Sequence, residues 1–453
     1  MKPAFFVLLA AAMLFGVVGC NDAVEQDGIL PENYVPEVTG RLTVSCRSDV
    51  YPTETSQAGV RNWINAFETK YSGVDVSVNF NVPDMAPLIA SKSIGDVFWL
   101  DDGSVYQYAI TDNALMPLDH YVEAFGVNLE DVYTGILNLG EVEGQLYFAG
   151  MSCGQQLFLY NLDALYAAGI LQEGEKVSND WTWEDFKTYA AALSRRADDG
   201  TYEQVAMSMP AYWAPYFSPF FVAYGGQWYD TTNKKISLVS DDRVVQGVRE
   251  LINVLDQYWI YPQGVSMGSE RAAAFKNITD TQGIVFSYNQ AYTLLSQRGQ
   301  QYDSQNINWD IAPFPLFEYA ASPCGTIGFG VFKYTKNVDA AAALVLSLYT
   351  EDGQMAIHGQ TGGDVPLLKN LGEDSFWHLK QAGWEDKNYS AFTANYEKYI
   401  PGHVKGQVPT EIAAIIEDGM QDLLNKYCSS GISWQDKLRE IEDTCNELWD
   451  TMI

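Results

Sequence analysis

The sequence is short of basic residues. Its 453 residues include 58 aspartates and glutamates but only 27 lysines and arginines, which gives a formal net charge of -31 at pH 7. Proteins that bind nucleic acids take most of their affinity from contacts between cationic side chains and phosphates. The charge balance therefore argues against DNA and RNA as partners, and the acidity is interpreted as a solvated, soluble surface.

Common metal and nucleotide motifs are also missing. The sequence has no H-E-x-x-H pair, no paired C-x-x-C, no D-x-D-x-D-G loop and no Walker A glycine loop. We therefore predict no metal ion and no cofactor. Only four histidines occur, and none has neighbours that indicate a catalytic triad; they are His120, His358, His378 and His403.

One apolar run stands out at the N terminus. Residues 4–18 are too few for a comfortable membrane-spanning helix but fit the hydrophobic region of a secretory signal. The run ends in VVGC, which resembles the lipobox of bacterial lipoproteins, in which Cys20 becomes the lipidated first residue. We predict a signal peptide at 1–19 and a lipid-anchored linker at 20–40, whose polar and acidic sequence fits a tether. A plain signal peptide with an incidental cysteine is the alternative.

Disulfides are not predicted, although export would permit them. Without Cys20 an odd number of cysteines remains at irregular spacing: Cys46, Cys153, Cys324, Cys428 and Cys445. The last two fall on two predicted helices joined by a short turn. Cys445 would lie about 16–18 Å along its helix from that turn, beyond disulfide reach, and its apolar neighbours predict a core position.

Strands and helices alternate along the chain from residue 41. Leu42, Val44 and Cys46 alternate with polar residues, and Val60, Trp63, Ile64 and Phe67 then recur at helical spacing. A second alternating run covers 74–82, and a third strand, DVFWL, ends at Asp101-Asp102. This rhythm predicts an α/β lobe with a largely parallel sheet, in which ligands sit at the carboxyl ends of the strands.

The order of the segments resembles the family 1 extracellular solute-binding proteins, the lipid-anchored sugar receptors of ABC importers. The matching segments follow the order of that family across nearly all of the mature chain. They are FETKYSGVDVSV, GDVFWLDD, NALMPLD, LFLYNLDALYAAGI, WTWEDFKTYAAAL, AYGGQWYD, GIVFSYN, IAPFPL and FKYTKNVDAAAALVLSLYTEDGQ.

The resemblance implies a two-lobed α/β fold of the periplasmic-binding-protein type, class II. Each lobe would hold a mostly parallel sheet flanked by helices, with extra helices at the C terminus. The N-terminal lobe would comprise 41–149 and 290–349, and the C-terminal lobe 150–289 and 350–453. The chain would cross between the lobes near 149–154, 287–291 and 348–352, and a ligand would favour closure about this hinge.

The resemblance also implies a carbohydrate ligand, an ABC transporter permease as partner, and a monomer held at the membrane through its N-terminal lipid alone. Sugars present apolar faces and hydroxyl rims, which aromatic rings and carboxylates or amides can bind. The predicted ligand residues are Asp49, Trp99, Asp101, Asp102, Trp213, Tyr216, Tyr288, Asn289 and Asp364. Trp99 and Asp102 match a W-x-x-D that contacts sugar in some family members, whereas Gly154 stands about where an acidic residue is often found.

Three alternatives remain at this point. GMSCG at 150–154 fits the G-x-S-x-G nucleophile elbow of serine hydrolases and would make Ser152 a nucleophile. The helix that this motif requires is not predicted after it, so we predict no enzyme activity and interpret 150–154 as a hinge. A receptor for a solute other than carbohydrate and a surface adhesion or scaffold protein are the other two.

Overall fold

A computed structural model describes residues 34–210, 213–279, 282–289, 292–320, 322–359, 365–378 and 381–452. The predicted signal peptide, Cys20 and most of the linker lie outside these ranges. Within them, no helix is both long enough and apolar enough to cross a lipid bilayer.

The first lobe is built on a five-stranded sheet. Its strands, in spatial order, are Val74–Val82, Gly40–Arg47, Val97–Asp101, Ile327–Val331 and Phe148–Gly150. The first three are parallel and the last two are antiparallel to their neighbours. The predicted helix covers Glu54–Lys70 and buries Val60, Trp63, Ile64 and Phe67, so the periodicity is confirmed.

The second lobe is built on a six-stranded sheet. Five strands follow the spatial order Ile260–Pro262, Tyr202–Met209, Ile284–Asn289, Leu157–Asn161 and Trp309–Pro313, and Arg195–Arg196 pairs with Tyr202–Met209. The first three of these five are parallel, and the next two are antiparallel to their neighbours.

In each lobe, four of the five strands just ordered run in one direction and one runs against them, so the sheets are mostly parallel, as predicted. In each lobe the antiparallel strand begins where the chain arrives from the other lobe. Ile327 lies opposite Asp101, and Leu157 lies opposite Asn289, so each arriving strand starts beside the carboxyl end of a parallel strand. A strand that enters from that end can run only in the opposite direction.

A small three-stranded sheet, here called the hinge sheet, joins the lobes. Gly154–Gln155 pairs antiparallel with Pro323–Gly325, which pairs parallel with Ile400–Pro401. The first strand lies between Phe148–Gly150 of the first lobe and Leu157–Asn161 of the second. The first crossing is therefore close to the predicted 149–154.

The second and third crossings differ from the predicted ones. Strand Trp309–Pro313 pairs with Leu157–Asn161 in the second sheet, although 290–349 was assigned to the N-terminal lobe. The chain returns to the first lobe only through Pro323–Gly325, not near 287–291. Helix Glu351–His358 packs against Glu54–Lys70, so the chain has not left the first lobe at 348–352.

The third crossing is a long segment, here called the third passage, which comprises the described residues of 365–409. Beyond 364 the chain first contacts the first lobe, where Tyr133 N donates to Leu367 O over 3.1 Å. It then reaches the second lobe, where Asn388 N donates to Asp310 Oδ1 over 2.7 Å. The described part of 365–399 contacts both lobes, so it gives the third crossing no definite position. Only the hinge-sheet strand Ile400–Pro401 does so.

The chain ends in the two predicted C-terminal helices, Thr410–Ser430 and Trp434–Thr451, which pack against each other. Ser433 Oγ accepts a hydrogen bond from Asp436 N and so caps the second helix. Cys445 is fully buried, which confirms its core position, and the five described cysteines are buried free thiols. The other helices are Ala86–Ala90, Asp119–Phe125, Thr134–Leu137, Leu162–Ala167, Trp183–Leu193, Ala214–Val222, Asp242–Asp256, Ser269–Ala274, Tyr292–Ser304, Val338–Leu346 and Lys369–Gly372.

Candidate functional site

A cavity of about 650 Å³ lies between the two lobes, beside the hinge sheet. Both lobes and the third passage line it, so we call it the interlobe cleft. From the first lobe come Asp102, Tyr106, Asn138, Leu139, Glu141, Val142 and Glu143; from the second come Ser218, Val222 and 226–231; from the third passage come Ile400, Pro401, His403, Gly406 and Gln407.

Asp102 connects the cleft to the hinge. It directly follows strand Val97–Asp101, and it is only 5% exposed. Its Oδ1 accepts from Thr326 N over 2.9 Å, and its own N donates to Thr326 O over 3.0 Å. Burial raises the pKa of this carboxyl, and the nearby His403 opposes that effect. Thr326 immediately follows hinge strand Pro323–Gly325, so Asp102 is fixed directly to the second crossing.

A β-hairpin supplies two more carboxylates to the first-lobe wall. Strands Glu141–Val142 and Gln145–Leu146 pair antiparallel, with Glu143 and Gly144 at the turn. Both turn residues have positive φ, 53° and 78°. The side chains of Glu141 and Glu143 are exposed and line the cleft.

The second-lobe wall combines aromatic and polar groups. Trp228 and Tyr229 lie side by side, with ring centroids 4.5 Å apart, and Trp228 also packs on Phe221 of helix Ala214–Val222 at 5.9 Å. The same helix brings Ser218 to the cleft. Ser218 is 5% exposed, and its Oγ has no hydrogen-bond partner among the described residues.

Residues of the third passage complete the lining of the cleft. Gln407 Nε2 donates to His403 O over 2.9 Å. Gly406 packs so tightly on the main chain of Asp102 that a Cβ at this position would lie 2.7 Å from Asp102 O. A larger residue at 406 would therefore displace Asp102 from the wall.

The sequence model of the bacterial extracellular solute-binding proteins matches residues 51–355. The chain belongs to this family. The family and its fold are those of binding proteins rather than enzymes, and the family is extracytoplasmic. The recognition made from the segment order is thus confirmed.

Solved structures of solute-binding proteins share the fold. The sugar-binding protein MalE from Xanthomonas citri is 17% identical, with a TM-score of 0.69 over 91% of this chain and 98% of that chain. An ABC substrate-binding protein from Listeria monocytogenes, solved in complex with cycloalternan, is 16% identical, with a TM-score of 0.64 over 91% and 100%. UgpB from Mycobacterium tuberculosis, in complex with glycerophosphocholine, is 17% identical, with a TM-score of 0.60 over 91% and 99%. A search of curated proteins found no significant match.

Of the nine ligand residues predicted for this solute-binding protein, Asp102 lines the cleft. Three predicted aromatic residues lie in the cores of separate lobes. Trp99 is 4% exposed in the first core, beneath the guanidinium of Arg47 at 5.4 Å. Tyr216 and Tyr288 are buried together in the second core, with ring centroids 4.4 Å apart. None of the three lines the cleft.

The remaining predicted residues are dispersed. Asp49 is exposed and accepts from Arg47 Nε over 2.9 Å, a contact that lowers the pKa of Asp49. Asp101 Oδ1 accepts from Ser104 Oγ over 2.7 Å. Trp213 is half-buried, and its ring centroid lies 5.5 Å from that of His403, a cleft residue. Asn289 ends a strand, and its side chain, like all of Asp364, lies outside the described residues.

Several cleft residues were not predicted as ligand contacts. Trp228 is 3% exposed and packs in the second core, yet it also lines the cleft. The hairpin at Glu141 and the segment around His403 carried no motif. The sequence held one signal for the second-lobe wall, the GGQWYD segment, in which the Gly225-Gly226 pair precedes Trp228.

The alternative chemistry finds no support in the local structure. After Gly150, the GMSCG segment leads into strands Gly154–Gln155 and Leu157–Asn161 rather than into the helix that a nucleophile elbow requires. Nε2 of the buried His358 donates to Met151 O over 2.8 Å, beside Ser152. Across the described ranges, no three His, Cys, Asp or Glu side chains are grouped as a metal site would require.

Proposed function

We propose that this protein captures a sugar or short oligosaccharide in the interlobe cleft and delivers it to the permease of an ABC transporter. The observation that carries the proposal is the lining of the cleft, in which rings and polar groups face one space from both lobes. Aromatic rings stack on the apolar faces of sugars, and carboxylates and amides accept or donate at the hydroxyl rims.

Closure about the hinge sheet completes the proposed mechanism. A solute that contacts Asp102 on one wall and Tyr229 on the other favours the closed form, because only that form offers both sets of contacts. The permease then recognises the closed shape. The protein works without catalysis, as a monomer, and the lipid on Cys20 holds it at the outer face of a bacterial membrane.

Calorimetry against a panel of mono- and oligosaccharides tests the proposal. Tyr229→Ala is expected to weaken binding about 10-fold or more, because an aromatic stacking partner contributes roughly 0.5–1.5 kcal/mol beyond the area that it buries. The matched control is Tyr71→Ala, another half-buried tyrosine, which lies outside the cleft. The carbohydrate assignment is wrong if the panel shows no binding while a peptide, polyamine or glycerophosphodiester binds.

Two further measurements test closure and anchoring. Small-angle scattering is expected to show a smaller radius of gyration with the bound sugar than without it. Metabolic labelling with a radioactive fatty acid is expected to mark the exported protein, and Cys20→Ala is expected to abolish the label and release the protein from the membrane. Retention of label in the variant would contradict the assignment of Cys20.

A further inference from the structure

The charged groups of the interlobe cleft are almost all of one sign. Four carboxylates line it, and neither a lysine nor an arginine does among the described residues; the carboxylates belong to Asp102, Glu141, Glu143 and Asp230. His403 is the one lining side chain that can carry a positive charge. Asp230 already accepts from Asn233 Nδ2 over 2.7 Å. Glu141, in the first strand of the hairpin, and Glu143, at its turn, are exposed.

Two of the polar lining groups are buried, which distinguishes the cleft from a solvated acidic surface. Asp102 is 5% exposed, and its hydrogen bonds with Thr326 come from an uncharged main chain. Ser218 is also 5% exposed, and its Oγ lacks a partner within the described part of the chain. Buried polar groups normally have partners, and a buried carboxylate is costly without a counter-charge. A ligand could supply a hydrogen-bond partner for Ser218 and, in addition to His403, a positive charge beside Asp102.

We infer that the cleft selects saccharides that carry a primary amine and rejects anionic ones. The inference rests on the proposed function and narrows it to a substrate class. An ammonium group in the cleft is attracted by up to four carboxylates and can donate three hydrogen bonds, for example to Asp102 and Glu141. A carboxylate or phosphate group on the ligand meets carboxyl groups on both walls, and among the lining residues only His403 can carry the opposite charge.

The test uses matched hexoses at low salt. Calorimetric affinities are measured for glucose, galactose and mannose, for their 2-amino-2-deoxy counterparts and for their uronic acids, and for cellotriose against the glucosamine trisaccharide. At least one amino sugar is expected to bind about 10-fold or more tightly than its hydroxyl parent, a difference of ~1.4 kcal/mol. The uronic acids are expected not to bind, and the preference is expected to shrink as salt rises.

The outcomes separate this inference from the proposed function. If sugars bind but no amino sugar exceeds its parent, or if a uronic acid binds as well as its parent, the amine preference is overturned and the sugar receptor stands. If none of these sugars binds, nor any member of the larger panel, both are overturned.

Variants locate the preference in the cleft. The double variant Glu141→Gln and Glu143→Gln is expected to reduce the affinity ratio of amino sugar to parent about 10-fold, with less effect on the parent itself. Its control is Glu123→Gln with Glu130→Gln, which removes two exposed charges from the same lobe outside the cleft. An equal change of the ratio in both pairs would show that net charge, and not the cleft, sets the preference, and would overturn the inference.

Discussion

Asp339 fastens the N-terminal segment to the first lobe, and its removal is expected to destabilise the whole protein. Its carboxylate accepts from Tyr34 OH over 2.8 Å, from Tyr121 OH over 2.8 Å and from Glu37 N over 2.7 Å. It also lies in the first turn of helix Val338–Leu346, where a negative charge is favourable. Burial and Asp339 together raise the pKa of Tyr34 to about 12.

The magnitude follows from what Asp339→Ala leaves behind. Tyr121 is fully buried, so its hydroxyl would lose its acceptor where no water replaces it, at a cost of about 1–3 kcal/mol. The half-buried Tyr34 hydroxyl and the Glu37 amide would become hydrated, each at a cost of roughly 0.5–1.5 kcal/mol. We therefore expect the free energy of unfolding to fall by about 2–6 kcal/mol.

Urea unfolding followed by tryptophan fluorescence measures this change. The double variant Asp339→Ala with Tyr121→Phe removes the orphaned hydroxyl, and it is expected to recover about 1 kcal/mol or more relative to Asp339→Ala alone. Limited proteolysis should cut residues 34–39 faster in either variant. The reasoning fails if Asp339→Ala unfolds within 0.5 kcal/mol of the parent protein, or if Tyr121→Phe worsens the single variant.

Three further predictions concern the first crossing. Burial lowers the pKa of His358 from 6.5 to about 4. Because the unfolded chain binds the proton at a higher pH than the folded protein does, the free energy of unfolding should fall as the pH drops from 6.5 to about 4. In His358→Gln, the free energy of unfolding measured in urea should depend less on pH over this range. In Gly154→Ala the new Cβ would lie 2.5 Å from Gly325 O, so unfolding titrations should show a loss of about 1–3 kcal/mol; an unchanged midpoint would contradict this. Ser152→Ala should leave the affinity for solute unchanged. If the parent protein turned over an ester or glycoside and this variant did not, the serine hydrolase hypothesis would be supported instead.

Features that depend on neighbouring residues could be predicted from the sequence. The capping box at Thr182 is present, with Asp185 N donating to Thr182 Oγ1 over 3.2 Å and Asp185 Oδ2 accepting from Thr182 N over 2.8 Å. The helix Glu54–Lys70 and the alternating strand Val74–Val82 also follow local periodicity. Such signals are local because the partners lie within one or two turns of the same element.

Sheet membership could not be predicted in the same way. Trp309–Pro313 lies 150 residues away in sequence from its partner Leu157–Asn161, and its apolar run would fit either sheet. The chain returns to the first lobe only after Trp309–Pro313 has paired, which moves the second crossing to Pro323–Gly325. The pairing of strands so distant in sequence is decided by tertiary packing, which leaves no mark in the local pattern.

Of the predicted ligand residues, Asp102 lines the cleft, and one cause accounts for the three predicted aromatic residues that lie in the cores instead. Asp102 could be placed because a charged residue at the carboxyl end of a strand marks the ligand side of an α/β sheet. Aromatic residues carry no such mark, since a ring packs equally well in a core or against a ligand. Tyr216 and Tyr288 pack on each other in the second core, whereas Tyr229 of the same lobe lines the cleft.

The position of Asp102 explains why ligand binding and hinge motion should be coupled in this protein. The residue faces the cleft, its carboxylate and amide both bond to Thr326 beyond the second crossing, and Gly406 packs on its main chain from the third passage. In the proposed mechanism, a ligand contact at this carboxylate would act on two of the three chain segments that join the lobes. Because packed main-chain contacts have few alternative arrangements, we expect the ligand to select between discrete open and closed forms rather than to draw the walls together gradually.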